Sequence, residues 1–336
     1  MRIGHVDLAN KVLIVAEIGN NHEGDFDTAQ ELVRRAAATG VDAVKFQTYR
    51  TQQFVSRMDS ARYDQLAAFE LSYAQFQALR DLAKSLGLLF LSTPMDLESA
   101  AFLESLVDCY KIASADRGFY PLLEVVSRTD KPVILSSGLS TLDQIAGSVR
   151  FLEERWRERG HVPQLAVLHC VTSYPAPPEE LNLAAISLLR ERLGCPIGYS
   201  DHTIGIEACV VAVAAGARII EKHFTLDKAY SSFRDHQLSA DPPEMRELVH
   251  RVARVGVLLG RPEKQVQRSE SALAQRVGRS IVAKVDLSNG HRLDWQDLAW
   301  TRPAVGLSPG EEGKLLGKRL KRAVSLGEPI MVDDVQ

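Results

Sequence analysis

Eight short apolar runs recur along the chain, each followed by a stretch long enough for a helix. They are VLIVAEIG (Val12 to Gly19), AVKFQ (Ala43 to Gln47), LLFLSTP (Leu88 to Pro94), CYKIAS (Cys109 to Ser114), PVILSS (Pro132 to Ser137), LAVLHC (Leu165 to Cys170), IGYSDH (Ile197 to His202) and IIEKHFT (Ile219 to Thr225). Strands covered on both faces read as continuous apolar runs, and parallel neighbours need a helical crossover between them. Eight such units in succession predict a closed (β/α)8 barrel of the α/β class. In that architecture the carboxyl ends of the strands gather at one mouth, where the chemistry sits. Most of the runs end in polar or ionisable residues, so Glu17, Lys45, Gln47, Thr93, Lys111, Ser114, Ser136, Ser200, His202, Glu221 and His223 are expected to converge there.

The length of 336 residues exceeds the roughly 250 typical of one such barrel. Residues 1–260 are read as the barrel. Residues 261–278 are polar and poor in strand signals, and read as a linker with one helix over Ser269 to Gln275. Residues 279–336 carry short β-type pieces broken by SNG, RPAVG, SPG and LGEP, which predict a small, mostly-β domain. A domain that small has little core of its own, so it is expected to dock on something.

A net charge of −3 gives no electrostatic case for nucleic acid or a membrane surface. The basic runs RWRERG and KRLKR are short and read as solvated faces. No apolar run approaches the length of a membrane span, and MRIGHVDLANK lacks a signal-peptide core, so a cytoplasmic location is expected. The four cysteines, Cys109, Cys170, Cys195 and Cys209, form no CxxC pair and read as reduced core thiols.

Two constellations carry chemistry. His202 and His223 end successive strands, which places two imidazoles at one mouth. That suits a divalent transition metal keeping open positions for substrate. Lys45 and Lys111 are embedded in apolar strands, where an ammonium is costly unless it is paired or faces a polar cavity. With the hydroxyls of Thr93, Ser114, Ser136 and Ser200 they would bind a phosphate plus a carboxylate. Structural pairing with Glu17 or Glu221, or a Schiff-base lysine, are the other readings of the pair. His22, in the loop GNNHEGD, reads as a loop hydrogen-bonding residue or a substrate contact.

The motifs AEIGNNHEG (Ala16 to Gly24), VKFQTY (Val44 to Tyr49), STP (Ser92 to Pro94), YKIAS (Tyr110 to Ser114), ILSSG (Ile134 to Gly138), LHCVTSYPAP (Leu168 to Pro177), GYSDHT (Gly198 to Thr203) and IEKHFTLDK (Ile220 to Lys228) occur in order. Together they resemble those of the sialic acid synthases, which condense phosphoenolpyruvate with N-acetylmannosamine-type sugars. The tail from Arg279, with Arg302 and Pro303, resembles the antifreeze-like (SAF) domain that follows the barrel in those enzymes.

The resemblance implies roles residue by residue. His202 and His223 would hold manganese, with magnesium or cobalt as alternatives. Lys45, Thr93, Lys111, Ser114, Ser136 and Ser200 match positions that bind phosphoenolpyruvate. Glu17, Gln47, Tyr174, Glu221 and Asp235 match positions facing the sugar or the reacting centre. Arg302 matches an arginine that the SAF domain of one protomer lends to its partner's site in a homodimer. The chain departs from the family at AYSSFRDH (Ala229 to His236), at Thr172-Ser173-Tyr174 and at Arg302 to Gly306. These departures leave the acceptor open between N-acetylmannosamine and 2,4-diacetamido-trideoxyhexoses. A barrel aldolase, or a metal-dependent hydrolase acting on a sugar, is the alternative function.

Overall fold

The computed structural model describes residues 1–162 and 164–336. Two compact units divide the chain, Met1–Gly260 and Arg261–Gln336. In the first, eight parallel strands close into a barrel: β3 (Leu13–Gly19), β4 (Ala43–Thr48), β5 (Leu89–Pro94), β6 (Cys109–Ile112), β7 (Val133–Ser136), β8 (Leu165–Cys170), β9 (Ile197–Asp201) and β10 (Ile219–His223). Strand β10 pairs with both β9 and β3, which closes the ring. The eight strands lie within the eight apolar runs, give or take a residue at their ends.

Side chains on a strand alternate between its two faces, and this alternation sorts the core into two shells. Ile14, Ala16, Val44, Phe46, Phe90, Tyr110, Val133, Val167 and Ile220 point outward and pack with helix residues such as Leu32, Phe76, Leu103, Leu152 and Leu248. Leu13, Val15, Ala43, Leu89, Leu91, Cys109, Ile134, Ala166, Leu168 and Ile219 point inward and fill the barrel. Continuing the inward parity toward the carboxyl ends of the strands gives Glu17, Lys45, Thr93, Lys111, Ser136, Cys170, Ser200, Glu221 and His223. The apolar plug thus becomes a polar mouth within one step of the pleat.

A two-stranded hairpin not read from the sequence, β1 (Arg2–Ile3) with β2 (Val6–Asp7), adds Ile3, Val6 and Leu8 to the inner cluster. Gly4 takes φ +52° in its turn, and a Cβ there would lie 2.4 Å from Leu89 Cδ2, so the tight turn requires glycine. Inside the barrel, Gly198 allows β9 to approach β10: a Cβ would meet Ile219 O at 2.6 Å and Ile219 Cβ at 2.7 Å. Gly198→Ala is therefore expected to destabilise the barrel by about 2–3 kcal/mol. The change should appear as a lower denaturant midpoint by circular dichroism.

Several helices start with the caps their sequences advertise. Ser72 and Thr141 form capping boxes with Gln75 and Gln144 at the heads of Tyr73–Ser85 and Leu142–Arg159. Between β4 and Tyr73–Ser85 lie two further helices, Thr51–Phe54 and Ser60–Phe69, the second capped by Asp59. Among the described residues, no helix is long and apolar enough to cross a membrane. All four cysteines are free thiols.

The second unit begins with a helix over Arg268–Val277, none of whose residues is buried. It continues into an antiparallel pair, β11 (Ser280–Ala283) with β12 (Leu298–Thr301). Isolated bridges such as Leu287 with Val324 and Leu320 with Val335 extend the β character. Its small core comprises Ile281, Ala283, Leu287, Leu293, Leu298, Leu315, Leu320, Val324, Ile330 and Val335.

Candidate active site

Thirteen of the fourteen expected site residues line one cavity of about 880 Å3 at the carboxyl ends of the barrel strands. The exception is Arg302, which belongs to Arg261–Gln336 and is exposed there. Its loop is braced by Ser280, whose Oγ donates to the Pro303 carbonyl at 2.8 Å and accepts from the Val305 and Gly306 amides.

The floor of the cavity is a buried charge cluster. Lys45 and Lys111 are each 3% exposed. Lys45 Nζ lies 2.8 Å from Glu17 Oε2 and 3.8 Å from Glu221 Oε2, and it donates to Thr93 Oγ1 at 3.2 Å. Lys45 is the one polar partner of Glu17 Oε2 among the described residues. Lys111 Nζ lies 3.7 Å from Glu221 Oε1 and donates to Ser136 Oγ at 2.7 Å. Ser200 Oγ donates to Glu221 Oε1 at 2.9 Å. The structural pairing weighed for the lysines is therefore present, and the same ammonium groups face the cavity.

The two carboxyls are pushed apart in acidity. Burial raises Glu17 to about 7, outweighing the opposing pull of Lys45. Burial also pushes Glu221 up, but Lys111 and Lys45 together hold it below its ordinary range. Burial lowers Lys111, whereas for Lys45 burial is outweighed by Glu17 and Glu221 and the amine sits above its ordinary range. Two buried carboxyls with divergent acidity beside two buried amines are a common mark of a working site.

His202 and His223 stand with ring centroids 5.5 Å apart. His202 Nδ1 donates to the Val171 carbonyl at 2.8 Å, which leaves Nε2 as the nitrogen available to the cavity. His223 Nδ1 is buried without a hydrogen-bond partner, and the nearest carboxylate oxygen, Asp235 Oδ2, is 4.0 Å away. Burial and the neighbouring His202 hold the His223 imidazole well below its ordinary range, in the neutral form that can ligate. For His202, burial is outweighed by Cys170 and the Val171 carbonyl, which raise it. Two imidazoles with orphaned or free ring nitrogens fit a divalent ion held by two protein ligands. Among the described residues no group of three or more His, Cys, Asp or Glu is arranged as a closed metal cage.

The rim comes from the loops. The Tyr174 ring lies with its centroid 4.1 Å from that of His202, tilted by 38°, and the Arg234 guanidinium lies 4.7 Å over the Tyr174 ring. Arg234 Nε also donates to Asp235 Oδ1 at 3.3 Å. Asn20 Nδ2 donates to Gln47 Oε1 at 3.1 Å. Ser114 Oγ accepts from the Gly138 amide at 3.0 Å.

Several lining residues were not anticipated. Cys170, read as a core thiol, is buried yet lines the cavity, with Sγ 3.8 Å from both Ser114 Oγ and His202 Nδ1. Its inward parity with Ala166 and Leu168 was the available signal. Arg234, and the outer wall of Phe54, Asp59, Arg62, Gln65 and Leu66, come from loops and short helices whose approach to the mouth no periodicity encodes. His22 is buried away from the cavity, where its Nδ1 accepts from the Gly24 amide at 3.0 Å, so it is a loop residue.

Comparison with known proteins agrees with this architecture. Residues 32–264 match the NeuB family and residues 278–336 match the SAF domain. An uncharacterised protein of Methanocaldococcus jannaschii is 41% identical over 98% of this chain and 96% of its own. The N,N'-diacetyllegionaminic acid synthase of Legionella pneumophila is 36% identical over 96% of this chain and 94% of its own. The crystal structure of the N-acetylneuraminic acid synthetase of Leptospira borgpetersenii aligns with TM-score 0.76 at 33% identity, over 81% of this chain and 94% of that one. The chain belongs to the NeuB family of sialic acid synthase-like proteins, with a SAF domain at its carboxyl end.

Proposed function

We propose that the protein is a nonulosonic acid synthase that condenses phosphoenolpyruvate with an open-chain N-acyl-mannosamine-type sugar. The observation that carries this reading is the buried pair Lys45 and Lys111, ringed by hydroxyls and set beside two imidazoles with free nitrogens. A ligand with two anionic groups suits two lysines better than a neutral sugar alone does.

Lys45 and Lys111, with Thr93, Ser114, Ser136 and Ser200, hold the phosphate and carboxylate and fix carbon 3 near the aldehyde. His202 and His223 would hold a divalent ion, manganese in the first instance and magnesium or cobalt as alternatives, and such an ion would supply Lewis acidity at the aldehyde oxygen. Gln47, Tyr174 and Asp235 orient the sugar chain. Carbon 3 attacks the aldehyde carbon, and Glu17 offsets the positive character that develops at carbon 2. Water adds to carbon 2, Glu17 accepts its proton, and Glu221 keeps the two ammonium groups in place. The alkoxide left at the former aldehyde carbon takes the proton held by Glu17, and the tetrahedral intermediate expels phosphate with the bridging oxygen, its hydroxyl proton leaving on that phosphate and a 2-keto acid remaining. Phosphate release that requires both a divalent metal and one member of a panel of N-acylated hexoses tests this reading and identifies the acceptor. Relatives named for synthesis of N,N'-diacetyllegionaminic acid and N-acetylneuraminic acid support placing N-acetylmannosamine and 2,4-diacetamido-trideoxyhexoses at the head of that panel.

The active form in this reading is a cytoplasmic homodimer in which each SAF domain caps the partner's barrel and Arg302 contacts the sugar's N-acyl group. Mixing an Arg302→Ala chain with a Lys111→Met chain is then expected to restore about a quarter of the parent activity, because only one site of each mixed dimer is whole. Exchange confirmed by native mass spectrometry without any recovery would place Arg302 outside the partner's site.

A further inference from the structure

Directly behind the two histidines lies an ion pair that the reaction does not use. Asp201 and Lys222 are register partners on β9 and β10, each immediately preceding a histidine and on the opposite parity, so they sit on the outer face of the barrel wall. Both are 0% exposed. Lys222 Nζ lies 2.8 Å from Asp201 Oδ2 and donates to the Thr203 carbonyl at 2.5 Å. Asp201 accepts from Tyr199 Oη (3.0 Å), the Thr203 amide (3.0 Å), Thr203 Oγ1 (3.1 Å) and Cys209 Sγ (3.3 Å).

As a stabilising device this arrangement is poor. A buried ion pair replaced by apolar groups of similar size is often neutral or better for stability, because desolvation offsets the attraction. Its geometry does something an apolar pair does not. The Asp201 carboxylate grips Thr203 at two atoms, so the main chain is pinned on either side of His202. The Lys222 ammonium joins that pinned segment to the residue before His223. One satisfied polar network therefore joins the backbone beside His202 to that beside His223.

We infer that Asp201 and Lys222 are positioning residues for the metal site, fixing the spacing of His202 and His223 at which one divalent ion is held. The inference rests on the metal reading given above, and the experiment separates the two. Mn2+ alone is titrated by electron paramagnetic resonance into the full-length parent, a His202→Ala control and the charge-neutral double variant Asp201→Asn/Lys222→Met. Metal-free melting is followed in parallel. Outer-shell partners of metal ligands typically contribute 10–100-fold to affinity, so the double variant is expected to weaken Mn2+ binding at least tenfold while melting as one folded protein. A pair that only held the fold would move the melting temperature and leave Mn2+ affinity alone; binding within twofold of the parent overturns the inference. Should the double variant fail to fold, Thr203→Val decides: it deletes only the Oγ1 bond and is expected to weaken Mn2+ binding about threefold. Affinity unchanged in that variant overturns the inference as well. If the parent shows no Mn2+ binding that His202→Ala removes, the metal reading fails first and the positioning role falls with it.

Discussion

His202→Ala and His223→Ala are each expected to lower the rate of condensation at least about a thousandfold, since Lewis-acid activation of a carbonyl contributes several kcal/mol to the barrier. The loss should be specific to the metal. Each variant should keep the barrel's circular dichroism, because the rings face a cavity and the strands that carry them are held by backbone ladders and the outer core. Binding of phosphoenolpyruvate, measured by calorimetry without metal, should fall far less, because Lys45 and Lys111 remain. Full activity of either variant after exhaustive chelation would remove the metal from the account.

Lys45→Met and Lys111→Met should have the opposite profile. Each charge-assisted hydrogen bond contributes roughly 1.5–3 kcal/mol, so phosphoenolpyruvate affinity should fall about 10–150-fold for either lysine, with Mn2+ affinity little changed. The larger effect is expected for Lys45, whose removal leaves Glu17 facing the incoming anion without its 2.8 Å partner. Lys111 is the amine whose affinity for a proton burial lowers, the property a Schiff-base lysine needs. Borohydride treatment in the presence of substrate therefore separates two chemistries. A synthase of this design gives no covalent adduct; reductive trapping on Lys111 would assign the site to an aldolase.

Much of this was legible because barrel strands announce themselves. Their apolar runs are continuous, so the eight strands could be placed from sequence to within a residue or two, and the polar residues at their carboxyl ends then marked Glu17, Lys45, Lys111, Ser136, Ser200, Glu221 and His223 for the mouth. Tyr174 and Asp235 lie beyond strand ends, and their placement came from motif resemblance. The hairpin Arg2–Asp7 was missed because two-residue strands show no period. The helix Ser60–Phe69 was missed because its face is only weakly amphipathic, with Leu66 and Phe69 its sole buried residues. Cys170 was misread because a thiol suits an apolar core as well as a cavity wall, and only its phase on β8 distinguishes them. The division of labour between Glu17 and Glu221 was invisible in one dimension. It arises from which carboxyl sits closest to both ammonium groups, a three-dimensional fact.

The most direct test of the central claim follows the bridging oxygen of phosphoenolpyruvate. With 18O in the bond between carbon 2 and phosphorus, a divalent metal and the accepted N-acyl sugar, 31P nuclear magnetic resonance should show every released phosphate carrying the label. One nine-carbon 2-keto acid should form per phosphate. Unlabelled phosphate, or labelled phosphate accompanied by pyruvate and unchanged sugar, would contradict condensation with carbon–oxygen cleavage as the function of this site.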